Sequence, residues 1–393
     1  MVNETHRNLA ARPDAVPAGR VRSRRTAGKA SAQAGLLTIA VTGAASGVGR
    51  ELSAELAAHP GVKRVIAIDE RRGDLTDVSW RVLDVRDPGL VQRVAGCDAV
   101  VHAIVPDVPG LPGVGRAAGA TSAAEMQSRL VDGARTVLTA AAAAAVSRAV
   151  LVTSAMVYGA AADNDVPLDE DAPVRAVADG PALAALLEVE ETAQLAAQVH
   201  PGLQVTLVRP AMLVGPGVDS VFTRHFEAPR LLVVKDSHPH WQFCHIDDLV
   251  SALVFAALGR VAGAVTVGSD GFLNQTEVET IAGMRRIELP SRLAFGTAER
   301  LHRLGMTPAP ASELAYTAEP WVVSSARLRA AGWRAEHDNE AGLRALVEEN
   351  LTRASTRGRH FGRDATLGAA GATVAVLGTA AVVRQIRRQR RGG

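Results

Sequence analysis

From Leu36 onward, short apolar runs alternate with stretches whose apolar residues recur at helical spacing. The runs are Leu37 to Thr42, Arg64 to Asp69, Trp80 to Asp84, Ala99 to Ile104, Ala149 to Ser154 and Gln204 to Arg209. Helical stretches lie between them at about 48–58, 88–95, 122–146 and 181–199. This alternation predicts βαβ units, right-handed crossovers and an α/β fold with a doubly wound parallel sheet. The Ala-rich stretch 140–145 reads as strong helix propensity against a close sheet. After Pro210 the alternation weakens, and Gly215, Pro216 and Gly217 open a loop-rich stretch with later helices at about 247–258, 275–283, 291–304 and 340–352. These additions predict a smaller C-terminal substrate cap over the carboxyl ends of the strands, where open α/β sheets bind ligands.

The pattern divides the chain into four parts. Residues 1–35 mix Arg, Ala, Gly and Pro without apolar periodicity and predict a disordered basic arm. Residues 36–210 form the core, 211–350 the cap with the remaining core elements, and 351–393 a basic linker, an apolar helix (365–383) and an Arg-rich tail.

Composition narrows the partners. The chain is 47% apolar but only 3% aromatic, so its core is built from Ala, Val and Leu, which suits helices packed closely on a sheet. A net charge of +2 over 393 residues argues for a small-molecule partner and against nucleic acid. Cys97 and Cys244 are the only cysteines and lie far apart, which suggests neither a disulfide framework nor a structural zinc site. A reducing, cytoplasmic location follows as the expectation.

The most informative segment is Thr42-Gly43-Ala44-Ala45-Ser46-Gly47-Val48-Gly49, which follows the first strand and opens a helix. Glycines permit a tight turn and close approach of backbone to a pyrophosphate, and the helix N-terminus adds unpaired N–H donors. Asp69 ends the second apolar run 20 residues after Gly49. There it can accept hydrogen bonds from ribose hydroxyls and repel a 2′-phosphate, so NAD is expected ahead of NADP. Arg71 and Arg72 weaken that preference. Asp84 is placed to meet the adenine amino group.

With these features the sequence resembles the short-chain dehydrogenase/reductase superfamily, and over Leu36 to about Asn350 its NAD-dependent epimerase/dehydratase (extended) branch. The resemblance rests on Leu83-Asp84-Val85-Arg86-Asp87, Cys97-Asp98-Ala99-Val100-Val101-His102-Ala103, Ser154-Ala155-Met156-Val157-Tyr158-Gly159, Val208-Arg209-Pro210 with Gly215-Pro216-Gly217, and His245-Ile246-Asp247-Asp248. It extends to Ala326-Arg327-Leu328-Arg329-Ala330-Ala331-Gly332-Trp333. It implies a Rossmann-type fold, adds Val85, Ala103, Arg209 and Pro210 to the cofactor-binding set, and suggests a nucleotide sugar as substrate and a homodimer as assembly.

The same resemblance implies a Ser or Thr, a Tyr and a Lys four residues after it, the Tyr acting as acid and base and the Lys lowering its pKa. Ser154 matches the first. Tyr158 matches a tyrosine of the family that is not the catalytic one. The Tyr and Lys positions fall on Leu183 and Leu187, and with only Tyr158 and Tyr316 available no Tyr-x-x-x-Lys exists in the chain. Leu130 also stands where the family usually has Asn. The expectation is an NAD-binding protein without the usual proton relay, a dinucleotide-binding module; the competing expectation is an active oxidoreductase or epimerase using Ser154, a carboxylate or water.

Three further groups stand out. His238, His240, Cys244, His245, Asp247 and Asp248 form the densest ligand-type cluster, but without a recognised metal spacing no metal is assigned, and Asp247 or Asp248 is read as a helix N-cap. Glu188 and Glu190 are read as a solvated helix face. The uncharged run 365–383, about 28 Å long as a helix, approaches the ~30 Å hydrocarbon thickness of a bilayer. Its Ala, Gly and Thr content makes insertion marginal, so membrane association through residues 365–391 is expected either as a span or through the arginines on anionic lipid.

Overall fold

In the computed structural model, residues 35–45, 47–103, 123–178, 180–228, 230–303 and 311–360 are described. Residues 1–34, Ser46, Ile104 and the run 365–383 lie outside them. The strands are β1 (Leu37–Thr42), β2 (Val62–Asp69), β3 (Ser79–Val82), β4 (Ala99–His102), β5 (Arg148–Val152), β6 (Gln204–Pro210), β7 (Met212–Val214), β8 (Leu231–Val234), β9 (Phe243–His245), β10 (Gly263–Val267) and β11 (Arg286–Leu289). The helices are α1 (Gly47–Ala58), α2 (Leu90–Val94), α3 (Ala123–Ala143), α4 (Pro181–Val199), α5 (Val221–His225), α6 (Ile246–Ala257), α7 (Gln275–Ala282), α8 (Ser291–Arg303), α9 (Ala326–Ala330) and α10 (Asn339–His360).

Seven strands form one parallel sheet in the order β3-β2-β1-β4-β5-β6-β10. The order reverses between β1 and β4, so the turns after these two strands border the same crevice. Successive side chains of a strand face opposite ways, which sorts the core into two layers. Ile39 and Val41 of β1 pack with Val48, Leu52 and Leu56 of α1 and with Leu249 and Leu253 of α6. On the other face Ala40, Ile68 and Leu151 meet Leu130, Val131 and Leu138 of α3 and Ala185 and Val189 of α4. Burial on both faces explains why the central strands read as continuous apolar runs. Residues 211–350 contribute two short parallel pairs, β7 with β9 and β8 with β11. Among the described residues no helix is long and apolar enough to cross a membrane.

The structure corrects the reading of Glu190. Its side chain is 2% exposed rather than solvated, and it ties α4 to the sheet. The carboxylate accepts from Arg209 Nη2 (2.6 Å) and Nε (3.0 Å) on β6 and from Thr153 Oγ1 (2.7 Å) after β5. Arg209 Nη1 donates to Tyr158 Oη at 2.7 Å, and its guanidinium lies over that ring, 4.9 Å from the centroid. Either charge alone would be buried without compensation. Glu190→Ala is therefore expected to lower the unfolding free energy by about 3–5 kcal/mol in urea denaturation, and a loss below ~1 kcal/mol would contradict this role.

Candidate dinucleotide-binding site

The turn from β1 to α1 is fixed by how closely its two ends approach. A Cβ on Gly49 would stand 2.0 Å from the Gly43 carbonyl oxygen, a backbone atom that cannot swing aside. Gly43 and Gly47 have positive φ (77° and 54°), a region that favours glycine. Gly43 and Ala44 donate their N–H groups to Ile68 O at 3.0 and 3.4 Å, which locks the turn against β2. The first turn of α1 holds no acidic residue, so no carboxylate within it offsets the positive potential that a helix N-terminus offers an anion. Val48 is buried in the core and holds this first turn down. These features suit a pyrophosphate.

Asp69 ends β2 beside that turn. Its Oδ2 accepts from Ala45 N (3.0 Å) and its Oδ1 from Arg71 N (3.4 Å). Next to it opens a cleft of about 630 Å³ lined by Ala45, Gly47, Arg50, Arg71, Arg72, Gly73 and Asp74. The phosphate turn and Asp69 thus converge on one edge of the sheet. Asp84 lies just past the end of β3, and its carboxylate is held by Arg86 Nη2 at 2.6 Å, which depresses its pKa. Arg86 also reaches Glu125 (2.9 Å) on α3, where Arg129 grips Glu70 (2.5 Å). The rim around Asp84 is therefore a charged lattice, a feature that local sequence spacing does not announce.

Beneath the turn, Thr42 is fully buried and its hydroxyl meets His102 Nδ1 at 2.8 Å. Thr42 braces the loop from below. His102 Nε2 has no partner among the described residues, and burial pushes the imidazole down to about 4. A Cβ on Gly133 would come within 3.0 Å of Val85 and 3.4 Å of His102, so this glycine lets α3 close over the pair. Val85 and Ala103 are buried alongside. Arg209 and Pro210 are also buried, and the Arg209 guanidinium is spent on Glu190 and Tyr158. Both residues thus support the site from within the sheet.

At the start of α4, Leu183 is buried and Leu187 packs on the same apolar cluster. Ser154 caps the 3₁₀ turn Ala155–Tyr158, its Oγ accepting from Met156 N at 3.2 Å, and among the described residues its hydroxyl has no acceptor. Both tyrosines are engaged elsewhere. Tyr158 is 1% exposed and bound by Arg209, and burial raises its pKa. Tyr316 donates to Met156 O at 2.7 Å. Lys63 lies at the opposite, N-terminal end of β2, and Lys235 follows β8.

The His-rich segment brings together only part of its expected cluster. His245, not Asp247 or Asp248, caps α6, its Nδ1 accepting from Asp247 N at 3.3 Å, because both aspartates already lie within the first turn. Asp248 turns inward instead and takes the N–H groups of Glu336 (2.7 Å) and His337 (3.2 Å). His245, Asp247 and His337 gather closely enough to hold a cation. The two imidazoles, however, stack face to face at 3.9 Å and 23°. Lone pairs in near-parallel ring planes do not converge on one point, so this cluster packs and caps.

The family model for the NAD-dependent epimerase/dehydratase family matches residues 39–268, more than half of the chain. The chain belongs to that family. An uncharacterized protein of Mycobacterium tuberculosis is 28% identical over 306 residues, covering 74% of this epimerase/dehydratase-family chain and 78% of its own length. Among solved structures, the UDP-glucose 4-epimerase of Thermotoga maritima with UDP-glucose has a TM-score of 0.60 at 16% identity, covering 81% of this chain and all of its own. The UDP-glucose 4-epimerase of Thermus thermophilus in complex with NAD has a TM-score of 0.58 at 19% identity, covering 80% and 99%. These likenesses extend the shared fold beyond the residues matched by the family model.

His102 gives this site a pH signature. Its folded pKa of about 4 lies below the unfolded value of ~6.5, so its contribution is complete above pH 6.5 and is lost as pH falls toward 4. The full difference is roughly 3 kcal/mol. Urea midpoints measured across that window should fall in the wild type and fall less in His102→Gln; equal falls would show that another group carries the dependence.

Proposed function

We propose that this family member binds NAD(H) through the Gly43–Gly49 turn and Asp69 and serves as a dinucleotide-dependent binding module without the family's Tyr/Lys proton relay. The observation that carries the proposal is the pairing of an open phosphate turn with an α4 whose first turns present Leu183 and Leu187. The Tyr/Lys pair exists in the family to move a proton as hydride moves, and two leucines can do neither part of that work. The fold neighbours with nucleotide sugars support a ligand of the same class under the cap, held without redox turnover.

A second reading keeps catalysis. The Ser154 hydroxyl at the strand end has no acceptor among the described residues, so it can polarise a substrate oxygen while water or a carboxylate takes up the proton. Ser154→Ala separates the two readings, because only the second predicts a loss of turnover.

Titration of the purified full chain with NAD⁺ in a calorimeter should show saturable binding, weakened at least about tenfold by Asp69→Ala through loss of its ribose hydrogen bonds. Addition of UDP-glucose to the NAD⁺-loaded protein should leave the nicotinamide absorbance unchanged. Absence of NAD⁺ binding would overturn the proposal, and reduction of the nicotinamide would favour the second reading.

A further inference from the structure

Four charged side chains close a ring of alternating sign beside Asp69 and Asp84. Arg86 Nη1 binds Glu125 at 2.9 Å, Arg129 Nε binds the same carboxylate at 3.3 Å, Arg129 Nη2 binds Glu70 at 2.5 Å, and Glu70 returns to Arg86 at 3.9 Å. The ring joins three segments of the chain. Glu70 directly follows Asp69 at the end of β2, Arg86 lies two residues past Asp84 and grips its carboxylate, and Glu125 and Arg129 stand one turn apart at the start of α3. The residues expected to meet the ribose and the adenine are thus each neighboured by a charge fastened to α3. Leu130 and Val131 are buried and hold the body of that helix on the sheet, so the ring opens by parting side chains alone.

We propose that this ring is a clasp over the adenosine end of the site, which opens for a dinucleotide to enter or leave and closes again once it is seated. An adenosine passing between the strand ends and α3 has to part Arg129 from Glu70 and Arg86 from Glu125. A ring that is closed both before and after binding raises the barrier in both directions and leaves affinity nearly unchanged. The four side chains are 26–43% exposed, so each pair is individually weak and is screened by salt. The clasp therefore sets how fast the dinucleotide exchanges, while the phosphate turn and Asp69 set how tightly it is held.

The clasp rests on the dinucleotide reading above, and rapid-mixing kinetics separate their fates. NADH fluorescence follows association with the full chain, and displacement by excess NAD⁺ follows release. Arg129→Gln breaks two links of the ring, and Glu70→Gln breaks the shared one from its other end. In each variant association and release should both quicken roughly fivefold to tenfold, the effect of losing two exposed ion pairs, with the dissociation constant within about twofold of the wild type. Arg129→Lys keeps the charge and should stay within about threefold of the wild-type rates. Raising salt from about 0.05 to 0.5 M should speed release in the wild type more than in Arg129→Gln. Rates unmoved in both Gln variants, or a change in one rate alone with the dissociation constant shifted to match, overturn the clasp and leave the dinucleotide reading standing. Absence of NADH binding overturns both.

Discussion

The contact between Gly49 and the Gly43 carbonyl oxygen sets the geometry on which the rest depends. With only a hydrogen at Gly49, α1 starts directly on the end of β1 and points its first N–H groups across the mouth of the sheet. That placement brings Ala45, which lines the neighbouring cleft, within reach of Asp69. A methyl group at Gly49 could be relieved only by moving backbone, and the strand, the helix and the carboxylate would lose their common register.

The other half of the site is governed by a different constraint. Glu190 and Arg209 pin α4 to β6 through a buried ion pair whose partners also bind Thr153 and Tyr158. The helix is therefore held in place, yet its opening turns carry leucines where the family's acid–base pair is expected. The proposed function takes this as position kept without the family's usual proton relay. The combination explains why a chain of this family can keep a dinucleotide turn and still be read as a binding module.

Much of this was legible in the sequence because the relevant forces are local. The apolar runs of the six strands β1 to β6 report burial on both sheet faces, and glycine spacing reports a tight turn. Strand ends were less legible: β3 stops at Val82, two residues short of the apolar run, so Asp84 sits in the connection. The seventh strand, β10, joins the main sheet from the region after Pro210, where the regular alternation of runs weakens, and its pairing with β6 is a long-range contact. Long-range partnerships were not legible at all. Glu190 looks like a surface residue until Arg209 is found opposite it, and the cap of α6 falls on His245 because Asp248 is drawn inward by the backbone of Glu336 and His337.

The most direct test of the central claim is a crystal structure of the chain with NAD⁺ and a nucleotide sugar bound. The account predicts the pyrophosphate on the backbone N–H groups of the Gly43–Gly49 turn, the ribose at Asp69, and the nicotinamide beside Leu183 and Leu187 with no tyrosine, lysine or carboxylate within about 2.6–3.2 Å of the sugar hydroxyls. A side-chain acid or base at that distance from the reacting hydroxyl, or a dinucleotide bound elsewhere, would contradict it.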